Sequence, residues 1–189
     1  MDIFAHGLWA GAAALATNNK LEKTSGRKML KIPFTVFWGI FPDVFAGAIP
    51  FVWLWLNILL GKVNFSDFSH SRMVTEHFPD GTKSIFGLWT QLYNLSHSLV
   101  IFFVIFCLVC IILRRPVWEM GGWLLHILID IPTHSLDFFP TPFLWPISNV
   151  RVGGISWGTP WFMILNYSAL IIAFILLLGK RHNKISPQQ

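Results

Sequence analysis

A short stretch of the chain carries residues of the types and spacing that bind metal ions. In the string HILIDIPTHSLD, Asp130, His134 and Asp137 follow His126 by four, eight and eleven positions. A helix places residues at these spacings on one face. An imidazole nitrogen and a carboxylate oxygen one turn apart can bind the same cation. His126 and Asp130 are therefore predicted to be metal ligands. Pro132 bends or ends the helix before His134, so the prediction that His134 lies on the same face is weaker.

Three further ionisable residues interrupt other apolar stretches: His6, Asp43 and His97. An Asp within a membrane span costs about 2.5 to 3.5 kcal/mol on insertion scales, so such residues are functional candidates. Counting from the cytoplasmic ends of the stretches at about 1.5 Å per residue puts them with His126 and Asp130 in one slab about 10 Å thick, so helix tilt or a second ion must account for the spread. The sequence therefore predicts three imidazoles and two carboxylates around one or two ions. Hydrogen-bonded His and Asp pairs that join helices are the alternative.

Imidazole with carboxylate suits zinc, and also manganese or iron, more than magnesium or calcium. Such an ion with an open position lowers the pKa of water toward about 7 and so supports hydrolysis. His134 and Asp137 are predicted to move protons there. Asn94, Ser96 and Ser98 flank His97 and are predicted to orient its ring, with helix packing through small polar residues as the alternative. For Arg151 the favoured interpretation is an interfacial arginine beside an aromatic belt, and contact with a lipid phosphate is the alternative.

The composition indicates which elements position these residues. Hydrophobic residues make up 54% of the 189-residue chain, charged residues 12%, and the mean hydropathy is +0.58. These values exclude a disordered or nucleic-acid-binding protein and predict an all-α integral membrane protein. About five transmembrane helices, with proline-broken segments around an intramembrane cavity, would form a single membrane domain over 1–189. The predicted spans are 3–16, 33–60, 85–113, 117–139 and 160–178, with a polar outer loop at 61–84.

The basic residues predict the orientation of these spans. Ten Lys and Arg residues fall in 17–32, at 114–115 and in 180–184, whereas the alternate connections hold four. The positive-inside rule therefore places the N-terminus outside and the C-terminus in the cytoplasm of a multi-pass protein. Because no basic segment precedes the first apolar stretch, no cleavable signal peptide is expected.

Several motifs of the chain resemble the YdjM-like family of bacterial inner-membrane proteins, which are described as metal-dependent hydrolases. The motifs are DIFAHGLWAG, GIFPDVFAG, YNLSHSLVIF and HILIDIPTH followed by PFLWPIS. The family pattern falls here on His6, Asp43, His97, His126, Asp130, Thr133 and Trp145. The resemblance implies an inner-membrane location and a metal-ligand set, with Thr133 supporting it. Val44 and Phe45 after Asp43 depart from the acidic residue that family members often carry there.

The leading hypothesis is a membrane-embedded, zinc-type hydrolase. Its substrate would be a lipid or lipid-linked ester, with a phosphoester preferred, because a site within the membrane reaches amphiphiles more easily than soluble molecules. A metal-ion or proton transporter is the second hypothesis, since intramembrane His and Asp residues also mark ion pathways. The third is a scaffold in which the polar residues only join helices. The sequence predicts no nucleic-acid partner and leaves the oligomeric state open.

Overall fold

A computed structural model describes residues 1–26, 29–62, 82–137 and 139–182 of the protein. This part of the chain is helical and contains no strand. The helices are α1 (Ile3–Ser25), α2 (Ile32–Leu59), α3 (Thr82–Ser96), α4 (Leu99–Leu113), α5 (Gly121–Thr133) and α6 (Pro160–His182), and a 3-10 turn (Trp118–Met120) precedes α5. The predicted all-helical class is therefore confirmed for the described residues.

Helix α1 is longer than the predicted span 3–16. It begins at Asp2, whose side chain accepts a hydrogen bond from the Ala5 amide, and it ends at Gly26 with a left-handed φ of 68°. Its last turns are polar and are held by the buried Asn18. The Asn18 side chain binds the backbone of Leu30 through both its amide oxygen and its amide nitrogen. This contact keeps the helix intact beyond its apolar part.

Helix α2 matches the predicted span 33–60, but it is not broken at its prolines. Its 28 residues continue through Pro42 and Pro50. The buried residues of α2 are Thr35, Gly39, Pro42, Ala46 and Pro50. These positions recur at intervals of three or four and form one stripe of small or compact residues. The prolines thus lie on the buried face of a continuous helix, and the expectation of proline-broken segments is not met here.

The third predicted span, 85–113, consists of two helices. Gly87–Ser96 and Leu99–Leu113 meet at an angle of 62°. The break falls at His97 and Ser98, where the Ser98 hydroxyl accepts a hydrogen bond from the Ile101 amide and so caps α4. A serine is a favoured N-cap, so the chain restarts a helix at this point.

The fourth predicted span, 117–139, is much shorter as a helix. Helix α5 has 13 residues and ends at Thr133, one residue after Pro132. Its final carbonyl groups are paired with a following segment: Gly154 donates to His134 at 2.7 Å and Ile155 donates to Pro132 at 2.9 Å. Because these carbonyls find partners outside the helix, the helix can end inside the protein.

Only two described helices, α2 and the Pro160–Gly179 part of α6, are long and apolar enough to cross a membrane, or three if the bent pair counts as one. Five spans are therefore not supported. At about 1.5 Å per residue α5 reaches only about 20 Å. The second half of α1 carries Lys20 and Lys23. Most of the predicted polar loop 61–84 lies outside the described residues.

Helix α5 is packed at the centre of the described helices. Its Trp123 ring stacks on Trp38 of α2, with centroids 5.8 Å apart and an interplanar angle of 4°. The indole nitrogen of Trp123 donates to the Ser96 carbonyl at 2.6 Å. One aromatic residue thereby joins α2 and α5 to the break between α3 and α4, one helical turn before His126.

Candidate metal centre

Four side chains from three regions of the fold point their donor atoms at one another. Asp43 comes from α2, His97 from the break between α3 and α4, and His126 and Asp130 from successive turns of α5. One ligand atom from each lies within 4.8 Å of the others. These four residues are called the donor group below.

The separations between donor atoms are short and nearly uniform. His126 Nε2 lies 3.1 Å from His97 Nε2 and 3.1 Å from Asp130 Oδ2. His97 Nε2 lies 3.5 Å from the same Asp130 oxygen. Asp43 Oδ1 lies 3.5 Å from His97 Nε2 and 3.6 Å from His126 Nε2. Tetrahedral zinc with bonds of about 2.0 to 2.1 Å needs ligand atoms about 3.3 Å apart, so the donor group suits such an ion.

Backbone carbonyls decide which imidazole nitrogens face the centre. His126 Nδ1 donates to the Gly39 carbonyl at 2.7 Å. His97 Nδ1 lies 3.1 Å from the Tyr93 carbonyl and 2.9 Å from the Ser96 hydroxyl. Because each Nδ1 carries the proton, each Nε2 presents a lone pair to the donor group. Metal-binding histidines are typically held in this way.

Two glycines allow the Gly39 carbonyl to reach His126. A Cβ atom on Gly122 would lie 2.2 Å from the Thr35 carbonyl oxygen and 2.9 Å from the Gly39 amide nitrogen. A Cβ atom on Gly39 would lie 2.5 Å from that of Ala10. The backbones of α1, α2 and α5 therefore touch at this level, and only glycine fits at these two positions.

The second oxygen of Asp130 has its own neighbours. Asp130 Oδ1 lies 2.9 Å from His6 Nε2 and 3.3 Å from His134 Nε2. The α-amino group of Met1 contacts the same oxygen and lies 3.0 Å from His134 Nε2. The His6 ring also stacks on His126, with centroids 3.6 Å apart. Asp130 thus touches imidazoles through both of its oxygens.

The Phe139 carbonyl holds both His134 and Tyr93. It accepts from His134 Nδ1 at 2.8 Å and from the Tyr93 hydroxyl at 2.7 Å. Phe139 has a φ of 48°, in the left-handed region that a bulky residue seldom adopts. Strain of this kind persists where the surroundings impose it, and here two hydrogen bonds hold the carbonyl in place.

A cleft of about 170 Å³ lies beside Tyr93, a neighbour of His97. It is lined by Trp89, Thr90, Tyr93, Asn94, Phe139, Pro140 and Arg151. The Tyr93 ring stacks on His97 with centroids 3.9 Å apart, so it forms the wall between the cleft and the donor group. Among the described residues, the buried Asn94 Oδ1 has no hydrogen-bond partner. The Arg151 guanidinium donates to the Pro140 carbonyl.

The structure brings together four of the five predicted ligands, Asp43, His97, His126 and Asp130, and places His6 beside the carboxylate of Asp130. His134, predicted to move protons, also lies at this carboxylate. Asp137 does not, because α5 ends before it and it is exposed in a turn.

Three of the residues predicted to support the site, Ser98, Thr133 and Asn94, have other positions or partners. Ser98 caps α4, and its hydroxyl donates to the Trp145 carbonyl. Thr133 donates to the Ile129 carbonyl of its own helix at 2.9 Å. Asn94 lines the cleft. Ser96, also predicted to orient the His97 ring, does contact it: its hydroxyl lies 2.9 Å from His97 Nδ1.

Sequence reasoning missed Tyr93 and the carbonyl groups of Gly39 and Phe139. A backbone carbonyl has no signature in the sequence, since every residue has one. Tyr93 offered a partial signal, because it precedes His97 by one helical turn and is one of only two tyrosines in the chain. Spacing of this kind places two rings on one helix face.

Asp43 is the most accessible member of the donor group. The Asp43 side chain is 28% exposed, whereas those of His97, His126 and Asp130 are at most 1% exposed.

Comparisons with protein-family models, curated proteins and solved structures find no match for the chain.

Proposed function

We propose that the protein is a metal-dependent hydrolase of the YdjM-like kind, embedded in a membrane and acting on a lipid or lipid-linked ester. The observation that carries this proposal is the buried donor group, in which two imidazoles and two carboxylates converge at the separations of a tetrahedral ion. Burying two carboxylates without a cation or a proton between them would be costly. Zinc is the preferred ion, with manganese or iron as alternatives.

The burial of each residue in the donor group indicates its role. His97, His126 and Asp130 are buried and would hold the ion. Asp43 is the least buried member, so the substrate and water would approach beside it. A bound ion with an open position would supply Lewis acidity, which polarises an ester and makes water a nucleophile near neutral pH.

The apolar surface supports a membrane location. Helix α6 exposes Ile164, Ile171 and Ile175 along its length, and α4 exposes Ile111 and Ile112. Large contiguous apolar surfaces are rare on soluble monomers. We assign the protein to the bacterial inner membrane, with its N-terminus outside and its C-terminus cytoplasmic. The distribution of basic residues supports this orientation.

The cleft beside Tyr93 favours an amphiphilic substrate with an anionic group. The guanidinium of Arg151 suits a phosphate oxygen, and Trp89 and Phe139 add aromatic walls. Among the described residues, no carboxylate forms an ion pair with Arg151. A phosphoester is therefore preferred over a carboxyl ester or an amide.

The test uses the full chain in lipid nanodiscs of phosphatidylethanolamine and phosphatidylglycerol. Elemental analysis should find at least one transition-metal ion per chain, and headgroup or phosphate release should stop when a chelator removes it. His126→Ala should abolish both properties, whereas Leu128→Ala, an exposed position on the same helix, should keep them. Retained metal without release of any lipid product would refute the hydrolase and keep the metal site.

A transporter is the second candidate, because the donor group would lie within the membrane. One observation opposes it: α4, Leu99–Leu113, contains no ionisable side chain apart from its two cysteines, so it offers no polar exit on its side. Flux of zinc or manganese into proteoliposomes that contain the protein would reverse this preference.

A further inference from the structure

We infer that Asp130 is a bridging carboxylate and that its Oδ1 oxygen, together with His6 and His134, binds a second divalent cation. In this arrangement Asp130 Oδ2 belongs to the donor group and Oδ1 to the second site. The inference rests on the proposed function, because both ions would serve one centre. It replaces the proton-transfer role that the sequence predicts for His134.

The distances around Oδ1 repeat those of the donor group. His6 Nε2 and His134 Nε2 lie 2.9 and 3.3 Å from Asp130 Oδ1. The separations from Asp130 Oδ2 to the two imidazoles of the donor group are 3.1 and 3.5 Å. Each carboxylate oxygen therefore has two imidazole nitrogens within 3.5 Å. A carboxylate with this environment on both sides can hold one ion at each oxygen.

His6 supplies an independent indication. Its side chain is fully buried, and neither ring nitrogen has a hydrogen-bond partner among the described residues. An unsatisfied buried polar group costs about 1 to 3 kcal/mol, so its persistence calls for a ligand. Because Nε2 lies 2.9 Å from Asp130 Oδ1 but forms no aligned hydrogen bond with it, a cation bound by both atoms would satisfy this nitrogen.

His134 is prepared in the same manner as the imidazoles of the donor group. Its Nδ1 donates to a backbone carbonyl, that of Phe139, just as His126 Nδ1 donates to Gly39. This bond leaves the Nε2 lone pair facing Asp130 Oδ1. The strained φ of Phe139 places the carbonyl where the ring needs it.

A positive charge already lies in this position. The α-ammonium of Met1 contacts Asp130 Oδ1 and lies 3.0 Å from His134 Nε2. A second cation would therefore take the place of this ammonium on two of its three proposed ligands, Asp130 Oδ1 and His134 Nε2. Two ions joined by a carboxylate are typical of enzymes that cleave phosphoesters, so the second site also narrows the substrate class.

The experiment measures the number of ions on the purified full chain and the coupling between them. The wild type, loaded with Mn²⁺ and freed of excess ion, should bind two ions per chain. Its electron paramagnetic resonance spectrum should show two exchange-coupled Mn²⁺ ions. His134→Asn should lower the count to one and leave the uncoupled spectrum of a single ion. Asp43→Asn should also leave one ion, and Asp137→Asn, a carboxylate outside both sites, should leave two.

Each result decides between the two proposals. A wild type that binds one ion, unchanged by His134→Asn, would overturn the second site and leave the proposed function standing. A wild type that binds none would overturn both. Two ions without exchange coupling would show that Asp130 does not bridge them. The wild-type count and spectrum need no variant, so they decide the matter even where a substitution impairs folding.

Discussion

Helices α5 and α6 both read as apolar segments, yet they have opposite positions in the molecule. Helix α5 has 13 residues and carries His126 and Asp130, each buried among other helices. Helix α6 has 23 residues, and only 11% of the residues in its most apolar part are buried. A helix surrounded by protein can carry charged groups because neighbouring helices supply their partners, whereas a helix that faces lipid cannot.

The polar residue of α6 follows the same logic. Asn166 is buried and accepts a hydrogen bond from the Trp9 indole of α1 at 2.8 Å. The one strongly polar side chain in the middle of the described helix thus turns toward protein. An apolar stretch of sequence therefore does not reveal whether protein or lipid surrounds it. The position of its few polar residues is the better guide.

The largest effect, a loss of metal binding, is expected from removing the carboxylate charge that α5 carries at Asp130. Asp130→Asn should abolish metal binding, with affinity falling at least a hundredfold, because this carboxylate contacts four imidazoles. Isothermal titration with Zn²⁺ measures the change, and Asp137→Asn is the matched control on an exposed carboxylate. Wild-type affinity in Asp130→Asn would remove the basis of the contrast between α5 and α6.

A charge placed on α6 should act on insertion instead of metal binding. Ile172 is 56% exposed near the middle of the helix. Lysine at the centre of a span costs about 3 kcal/mol, so Ile172→Lys should sharply lower the membrane-inserted fraction. Ile172→Leu should leave it unchanged. The fraction resistant to alkaline extraction from membranes is the measurement, and full insertion of the lysine variant would contradict a lipid-facing α6.

The close contact between α5 and α2 should be sensitive to a single methyl group. Gly122→Ala places a Cβ atom against the Thr35 carbonyl and should lower the free energy of unfolding by about 1 to 3 kcal/mol. It should also weaken metal binding, because it moves Gly39 away from His126. Gly121→Ala is the control, since a Cβ atom there meets nothing within 4 Å. Equal stability of the two variants would exclude tight packing at this level.

The smallest effects are expected at Ser96 and Ser98, where substitution should lower metal affinity in one case and stability in the other. Ser96→Ala removes one partner of His97 Nδ1 and should weaken metal binding by less than tenfold, because the Tyr93 carbonyl remains. Ser98→Ala removes the cap of α4 and should cost about 1 kcal/mol of stability. Paired measurements of Zn²⁺ affinity and of thermal unfolding test both variants. A larger loss of metal affinity in Ser98→Ala than in Ser96→Ala would reverse the assignment.

Much of the helix pattern was predictable, because hydropathy and spacing are local properties. The predicted span 33–60 agrees closely with α2, Ile32–Leu59, and 160–178 lies within α6. The bend at His97 was not predicted, since it depends on Ser98 acting as a cap and on the carbonyl of Trp145, which lies far along the chain. The end of α5 likewise depends on a distant segment that pairs with its last carbonyls.

Residue types and their order determined that the chain would be helical, rich in apolar surface, and supplied with imidazoles and carboxylates at metal-binding spacings. Tertiary structure alone decided that His126 meets the carbonyl of Gly39, 87 positions away, and that the two oxygens of Asp130 face different imidazoles. The physical reason is that spacing defines the face of one helix, whereas the position of one helix against another depends on where their backbones can touch. Here glycines decide that contact, and they place the donors of separate helices within reach of one ion.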